Sequence, residues 1–269
     1  MSEIENDAEA SFTMREWYDF MGQFAHVLPR LHMGGIEATK DLLTMCQLHG
    51  KIRVLDIGSG PGHAACEIGE EYDSDVIGVD ISEKMVIKAE ERAHKKKVDE
   101  RVRFKVADAT DLPFDDEEFD IVLFESVLTA IEDKRTAMKE AYRVVKPGGL
   151  IAANETVFNE SAPQELIDLL DEYPSINGHL TPESLRDLFE SSGLDVLDIK
   201  EVPGSEIPSS ASEMGIRGIL SFILRSSWRI IGKMIRDPRY RRAQKLDGQV
   251  TKLLREHGGY ALIVGQKPR

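Results

Sequence analysis

Cysteine is scarce: Cys46 and Cys66 are the only two in 269 residues. Two thiols cannot build a disulfide framework or a cysteine-rich metal site. No run of 18 residues is free of charge, so a transmembrane helix is not expected. His-Glu-x-x-His and paired Cys-x-x-Cys are also missing, and no metal is expected. Asp115-Asp116-Glu117-Glu118 lacks the Asp-x-Asp-x-Asp-Gly spacing of a calcium loop and reads as a solvated turn. Basic residues are outnumbered, 34 Lys and Arg against 48 Asp and Glu, for a formal charge of −14. A surface so acidic excludes general nucleic-acid binding. The first residues, MSEIENDAEASF, lack the basic-then-apolar order of a signal peptide. These absences leave a soluble, reduced, cytoplasmic protein as the expectation.

What is present is a globular composition, 41% hydrophobic and 30% charged. The charge is unevenly placed. Between Ser210 and Lys245 stand nine basic residues (Arg217, Arg225, Arg229, Lys233, Arg236, Arg239, Arg241, Arg242, Lys245) against Glu213 and Asp237. That window carries +7, so the remainder carries −21. Such asymmetry marks either a segment with its own partner or one packed on an acidic face of its own protein.

Periodicity divides the chain. Trp17, Met21, Phe24 and Leu28 recur at helical spacing before Pro29, and a second helix is predicted from Gly35 to Leu48. Strands and helices then alternate. Strands are predicted at 52–57, 75–79, 102–106, 121–124 and 150–154, with helices at 62–72, 83–97 and 134–145 between them. Helices at 164–172 and 182–191, a sixth strand at 194–201 and a seventh at 260–266 complete the pattern. Alternation with short turns predicts a doubly wound, mostly parallel seven-stranded sheet. Residues 1–49 form an N-terminal helical cover in this reading. The core comprises 50–202 and 259–269, and 203–258 is a basic helical insertion before the last strand.

The turn after the first strand reads Asp56-Ile57-Gly58-Ser59-Gly60-Pro61-Gly62-His63. It lacks the Lys-Ser/Thr pair of a Walker loop, and His63 breaks the Gly-x-Gly-x-x-Gly dinucleotide pattern. An acid beside the glycines suits a ligand carrying an ammonium or sulfonium group better than a pyrophosphate. Val54 to Gly62 resembles the first motif of the class I S-adenosylmethionine-dependent methyltransferases. Val76 to Asp80, Val106 to Ala109, Phe119 to Val122 and Arg143 to Gly149 resemble four further motifs in the family's order.

The resemblance, to type 11-like small-molecule enzymes, implies a Rossmann-like methyltransferase fold with S-adenosyl-L-methionine as cofactor. It implies that Gly58, Ser59, Gly60 and Gly62 hold the methionine part and that Asp56 orients the loop. Asp80 is expected at the ribose diol, Ile81 over the adenine, and Asp108 and Ala109 at the adenine edge. Glu125 falls near the amino-acid end of the cofactor or the acceptor. On the acceptor side the candidates are Tyr18, His32, Ser126, Glu155 and Arg225, with His32 the one candidate base. The segment Met33-Gly34-Gly35-Ile36-Glu37-Ala38-Thr39 resembles one seen in many small-molecule methyltransferases.

Two cysteines count against an arsenic methyltransferase. Phe124-Glu125-Ser126-Val127 lacks the Asn/Asp-Pro-Pro-aromatic signature of enzymes that methylate exocyclic amines or glutamine. From Gly215 to Arg236, apolar residues pair with Arg225, Arg229, Lys233 and Arg236 at helical spacing. This amphipathic helix is a lid, a docking arm for an acidic protein, or a membrane-surface contact. The expectation is a methyltransferase, monomeric or homodimeric, acting on a small molecule. The alternatives are a protein methyltransferase that docks its target through residues 210–245, and a cofactor-binding subunit without activity of its own.

Overall fold

The computed structural model describes residue 16 and residues 33–48, 50–171, 177–207, 249 and 252–269. The first described helix is α1 (Gly35–Met45). The elements that follow are β1 (Arg53–Ile57), α2 (His63–Glu71), β2 (Asp75–Asp80), α3 (Glu83–Lys96), β3 (Val102–Val106) and β4 (Phe119–Glu125). After them come α4 (Lys134–Val144), β5 (Val145–Phe158), α5 (Gln164–Asp171), α6 (Pro182–Ser191), β6 (Asp195–Pro203) and β7 (Gly258–Gln266).

The seven strands make one sheet in the order β3-β2-β1-β4-β5-β7-β6. All pairs from β3 to β5 are parallel, while β7 lies antiparallel between β5 and β6. β1 shows how its sequence serves both faces. Val54 belongs to the buried cluster that holds Leu42, Ala65, Ile68 and Val86, and Leu55 to the one that holds Met138, Leu185 and Phe189. Both are fully buried, which at about 1.5–3 kcal/mol per aliphatic side chain ties the two helical layers to the same strand.

Capping sets several helix starts. The Ser82 hydroxyl accepts from Met85 N, and Thr181 and Ser184 form a reciprocal capping box with Pro182 in the first turn. At the far end of the sheet, β6 is an edge strand carrying Asp195, Asp198, Lys200 and Glu201, charges that discourage edge-to-edge pairing.

One boundary differs from expectation. Pro147-Gly148-Gly149 was expected to separate helix from strand, yet β5 already begins at Val145. Gly148 N donates to Lys267 O and Lys267 N to Gly149 O, so the C-terminal segment extends the ladder. The Lys267 ammonium also donates to the Tyr142 and Val145 carbonyls, capping α4 with a cation where helix carbonyls are otherwise unpaired.

The antiparallel β7 has a further result. Pro203, closing β6, pairs with Gly259 at the start of β7, and Phe158, closing β5, pairs with Gly258. Both ends of the long connection therefore stand at the carboxyl edge of the sheet. Most of that connection and of the N-terminal cover lies outside the described residues. Among the described residues no helix is long and apolar enough to cross a membrane.

Candidate active site

Between β1 and α2 the chain turns through three glycines with positive φ: Gly58 at 69°, Gly60 at 50° and Gly62 at 76°. Only glycine takes this conformation without strain. Gly58 also needs the space, because a Cβ there would fall 2.4 Å from Val127 Cγ2. At Gly60 a Cβ would meet nothing within 4 Å, so this part of the loop presents bare backbone. The loop is braced from several sides. Ser59 N donates to Val79 O at 2.9 Å, and Arg92 Nε donates to Pro61 O at 2.7 Å.

A cleft of about 470 Å³ opens beside this loop, at the carboxyl ends of β1 to β4. Six carboxylates line it (Asp56, Asp80, Asp108, Glu125, Glu132, Asp133), with no Lys or Arg among the described lining residues. The field favours a cation.

Each strand end delivers its acid in a fixed pose. Asp80 closes β2, accepting from Gly60 N at 2.9 Å through Oδ2 and from Ser82 N at 2.8 Å through Oδ1. Asp108 follows β3, and its Oδ1 accepts from both the amide and the hydroxyl of Thr110 at 2.9 and 2.7 Å. Glu125 closes β4, and its Oε2 accepts from Thr39 Oγ1 at 2.8 Å.

The next residue, Ser126, has φ 55°, a conformation non-glycine residues seldom adopt. Its amide donates to Asn154 O at 2.7 Å, which holds the turn in place. The hydroxyls of Ser59 and Ser126 are buried on the cleft without a hydrogen-bond partner among the described residues. Such orphaned polar atoms cost stability in isolation and suit a polar ligand.

Nine of the ten expected cofactor residues line the cleft: Asp56, Gly58, Ser59, Gly60, Asp80, Ile81, Asp108, Ala109 and Glu125. Gly62 does not. It stands at the N-terminus of α2, where a Cβ would fall 2.7 Å from the Phe104 ring and 2.9 Å from Ala89. On the acceptor side Ser126 lines the cleft, and Tyr18, His32 and Arg225 lie outside the described residues.

Glu155 departs from its expected place. It is fully buried and absent from the lining, and its carboxylate is spent on the turn after β4. Oε1 accepts from Val127 N and Leu128 N at 2.9 and 2.8 Å, and Oε2 from the amide and hydroxyl of Thr129 at 3.3 Å. Burial pushes this carboxyl up to about 7 against the pull of those donors. His63, Thr110, Val127, Ile131, Glu132 and Asp133 also line the cleft without having been singled out. Their shared signal was position, each lying shortly after a strand's carboxyl end.

A family model described as a methyltransferase domain matches residues 48–206. The chain is 40% identical over 117 residues to 27-O-demethylrifamycin SV methyltransferase of Amycolatopsis mediterranei, covering 44% of this chain and 43% of that one. It thus spans under half the length of that curated relative. Two solved structures share the fold. The 4+2 cyclase SpnF superposes with a TM-score of 0.73 at 20% identity, covering 96% of this chain and 97% of that one. Phosphoethanolamine N-methyltransferase 2 of Haemonchus contortus, in complex with phosphomonomethylethanolamine and S-adenosylhomocysteine, gives 0.75 at 20% identity, over 96% and 61%. With ordered motifs, a seven-stranded sheet and a family match over more than half its length, the chain belongs to the class I S-adenosylmethionine-dependent methyltransferases.

Proposed function

We propose that the protein transfers the methyl group of S-adenosylmethionine to a small-molecule acceptor. One observation carries this reading: Asp80, Asp108 and Glu125 stand in order at the ends of β2, β3 and β4 around one cleft beside the glycine loop. The residues present fit the cofactor, with an acidic lining, bare backbone at Gly60 and two buried hydroxyls lacking partners among the described residues.

S-adenosylmethionine supplies an electrophilic methyl group on a cationic sulfur. In this reading Asp80, held in place by the Gly60 and Ser82 amides and lining the cleft, receives the ribose diol. Asp108, fixed through one oxygen by Thr110, receives the adenine amine, and Ile81 covers the ring. Gly58 to Gly60 hold the methionine portion, and Glu125 meets its amino-acid end. Orientation and exclusion of water then contribute most of the rate, and a base is needed only for an acceptor that carries a proton.

The relatives' substrates, a rifamycin and phosphoethanolamine, support an acceptor of small size. The placement of both ends of the 204–257 connection at the carboxyl edge supports residues 210–245 as a lid over the acceptor. Two free, buried cysteines support a cytoplasmic setting.

Transfer of labelled methyl from S-adenosylmethionine into a cell extract tests the proposal. Label in the small-molecule fraction is expected. Label in a protein band would point instead to a docked protein target, and cofactor binding without any transfer would overturn the catalytic reading.

A further inference from the structure

Helix α1 lies outside the segment that the family model matches, yet its Thr39 bonds Glu125, which lines the cleft. Its apolar stripe, Gly35, Ala38, Thr39, Leu42 and Leu43, is buried at i, i+3, i+4, i+7 and i+8. Thr39 is the one hydroxyl in that stripe, and it is fully buried. A buried hydroxyl needs a partner, and the Glu125 carboxylate supplies one at 2.8 Å across 86 residues of sequence.

The segment leading into the helix is tied down as well. Asn154 Nδ2 donates to Met33 O at 3.1 Å, and the Tyr260 ring packs so close to Gly34 that a Cβ there would fall 2.6 Å away. Residues 33–39 are therefore fastened to the carboxyl ends of β4 and β5 and to the start of β7. The Thr39 contact acts on an acid that lines the cleft.

We propose that Thr39 is a positioning residue: its hydroxyl fixes the rotamer of Glu125 so that the carboxylate faces the amino-acid end of the cofactor. This rests on the reading of Glu125 given above. A glutamate has three side-chain torsions, and a charge-assisted bond to one oxygen removes most of that freedom before the ligand arrives. Orientation set in advance by a helix outside the sheet would show as selective affinity, since only ligands that carry the amino-acid group benefit.

Calorimetric binding of S-adenosylhomocysteine and of 5′-methylthioadenosine, which lacks the amino-acid group, separates the outcomes. Thr39→Val keeps the shape and removes the hydroxyl. It should weaken S-adenosylhomocysteine about tenfold, within the range for losing a hydrogen bond to a charged group, and leave 5′-methylthioadenosine unchanged. Thr39→Ser should restore affinity to within about twofold of wild type. In a Glu125→Gln background the Val substitution should cost little more, because its target has lost its charge.

Unaltered affinity in Thr39→Val beside a weakened Glu125→Gln would overturn the positioning role alone. Equal weakening of both ligands by Thr39→Val would also overturn it, since that is the pattern of general loosening. No effect of Glu125→Gln on S-adenosylhomocysteine would overturn the reading of Glu125, and the proposal with it.

Discussion

The carboxyl ends of β2 and β5 carry the same chemical device for opposite purposes. Asp80 and Glu155 both accept backbone amides across loops at the same edge of the sheet. Asp80 accepts from Gly60 N and Ser82 N and also lines the cleft. Glu155 accepts four bonds, is fully buried, and binds the turn that carries Val127 against Gly58. The difference lies in saturation. A carboxylate has about four acceptor positions, and one whose positions are all filled by its own protein has none left for a ligand. An acid at an active edge is therefore a site residue only where the fold leaves it facing the cleft.

This contrast fails or sharpens on measurement. The largest effect belongs to Glu155→Ala, which strands three buried amides and a hydroxyl. A stability loss of about 3–5 kcal/mol is expected by chemical denaturation, comparable to breaking a buried charged network. A loss confined to cofactor affinity would make Glu155 a ligand residue after all.

Next comes its titration. Burial raises the folded carboxyl from 4.5 to about 7, so the native state holds the proton more tightly than the unfolded chain. The stability that Glu155 contributes is thus greatest below about 4.5 and falls as pH rises toward about 7. A change of that size corresponds to about 3 kcal/mol. Glu155→Gln cannot titrate, so the difference between wild type and variant should slope across that window and flatten outside it. A difference independent of pH would show that the four donors cancel the effect of burial.

The smallest effect is at the cleft. Asp108→Ala should weaken S-adenosylhomocysteine by more than about 1 kcal/mol while barely changing the melting temperature, because only Thr110 loses a partner within the protein. A large fall in melting temperature with unchanged affinity would place Asp108 with Glu155.

Much of this was legible beforehand. The Gly58–Gly62 turn declared itself because positive φ demands glycine, Asp80 because a strand's last residue has a known place in a parallel sheet, and Asp108 because it follows a strand by two residues. Helix Pro182–Ser191 matched its expected bounds, as a Thr181 cap and Gly193 stop are local signals. Gly62 and Glu155 stand off the cleft lining for the same reason. Whether a residue at the edge faces ligand or protein depends on Phe104 in one case and Val127 to Thr129 in the other, 42 and 26–28 residues away. Thr39 had a signal that went unused, a lone hydroxyl on an otherwise apolar helical stripe.

By itself the sequence determined the family, the strand–helix alternation and the order in which acids reach the sheet edge, because each of these is written in short local patterns. Tertiary structure alone decided which acids remain open to a ligand. It did so by threading β7 between β5 and β6, which returns the long connection to the active edge, and by pairing distant groups such as Thr39 with Glu125. Burial and lone-pair saturation are properties of neighbours, and neighbours exist only once the chain has folded.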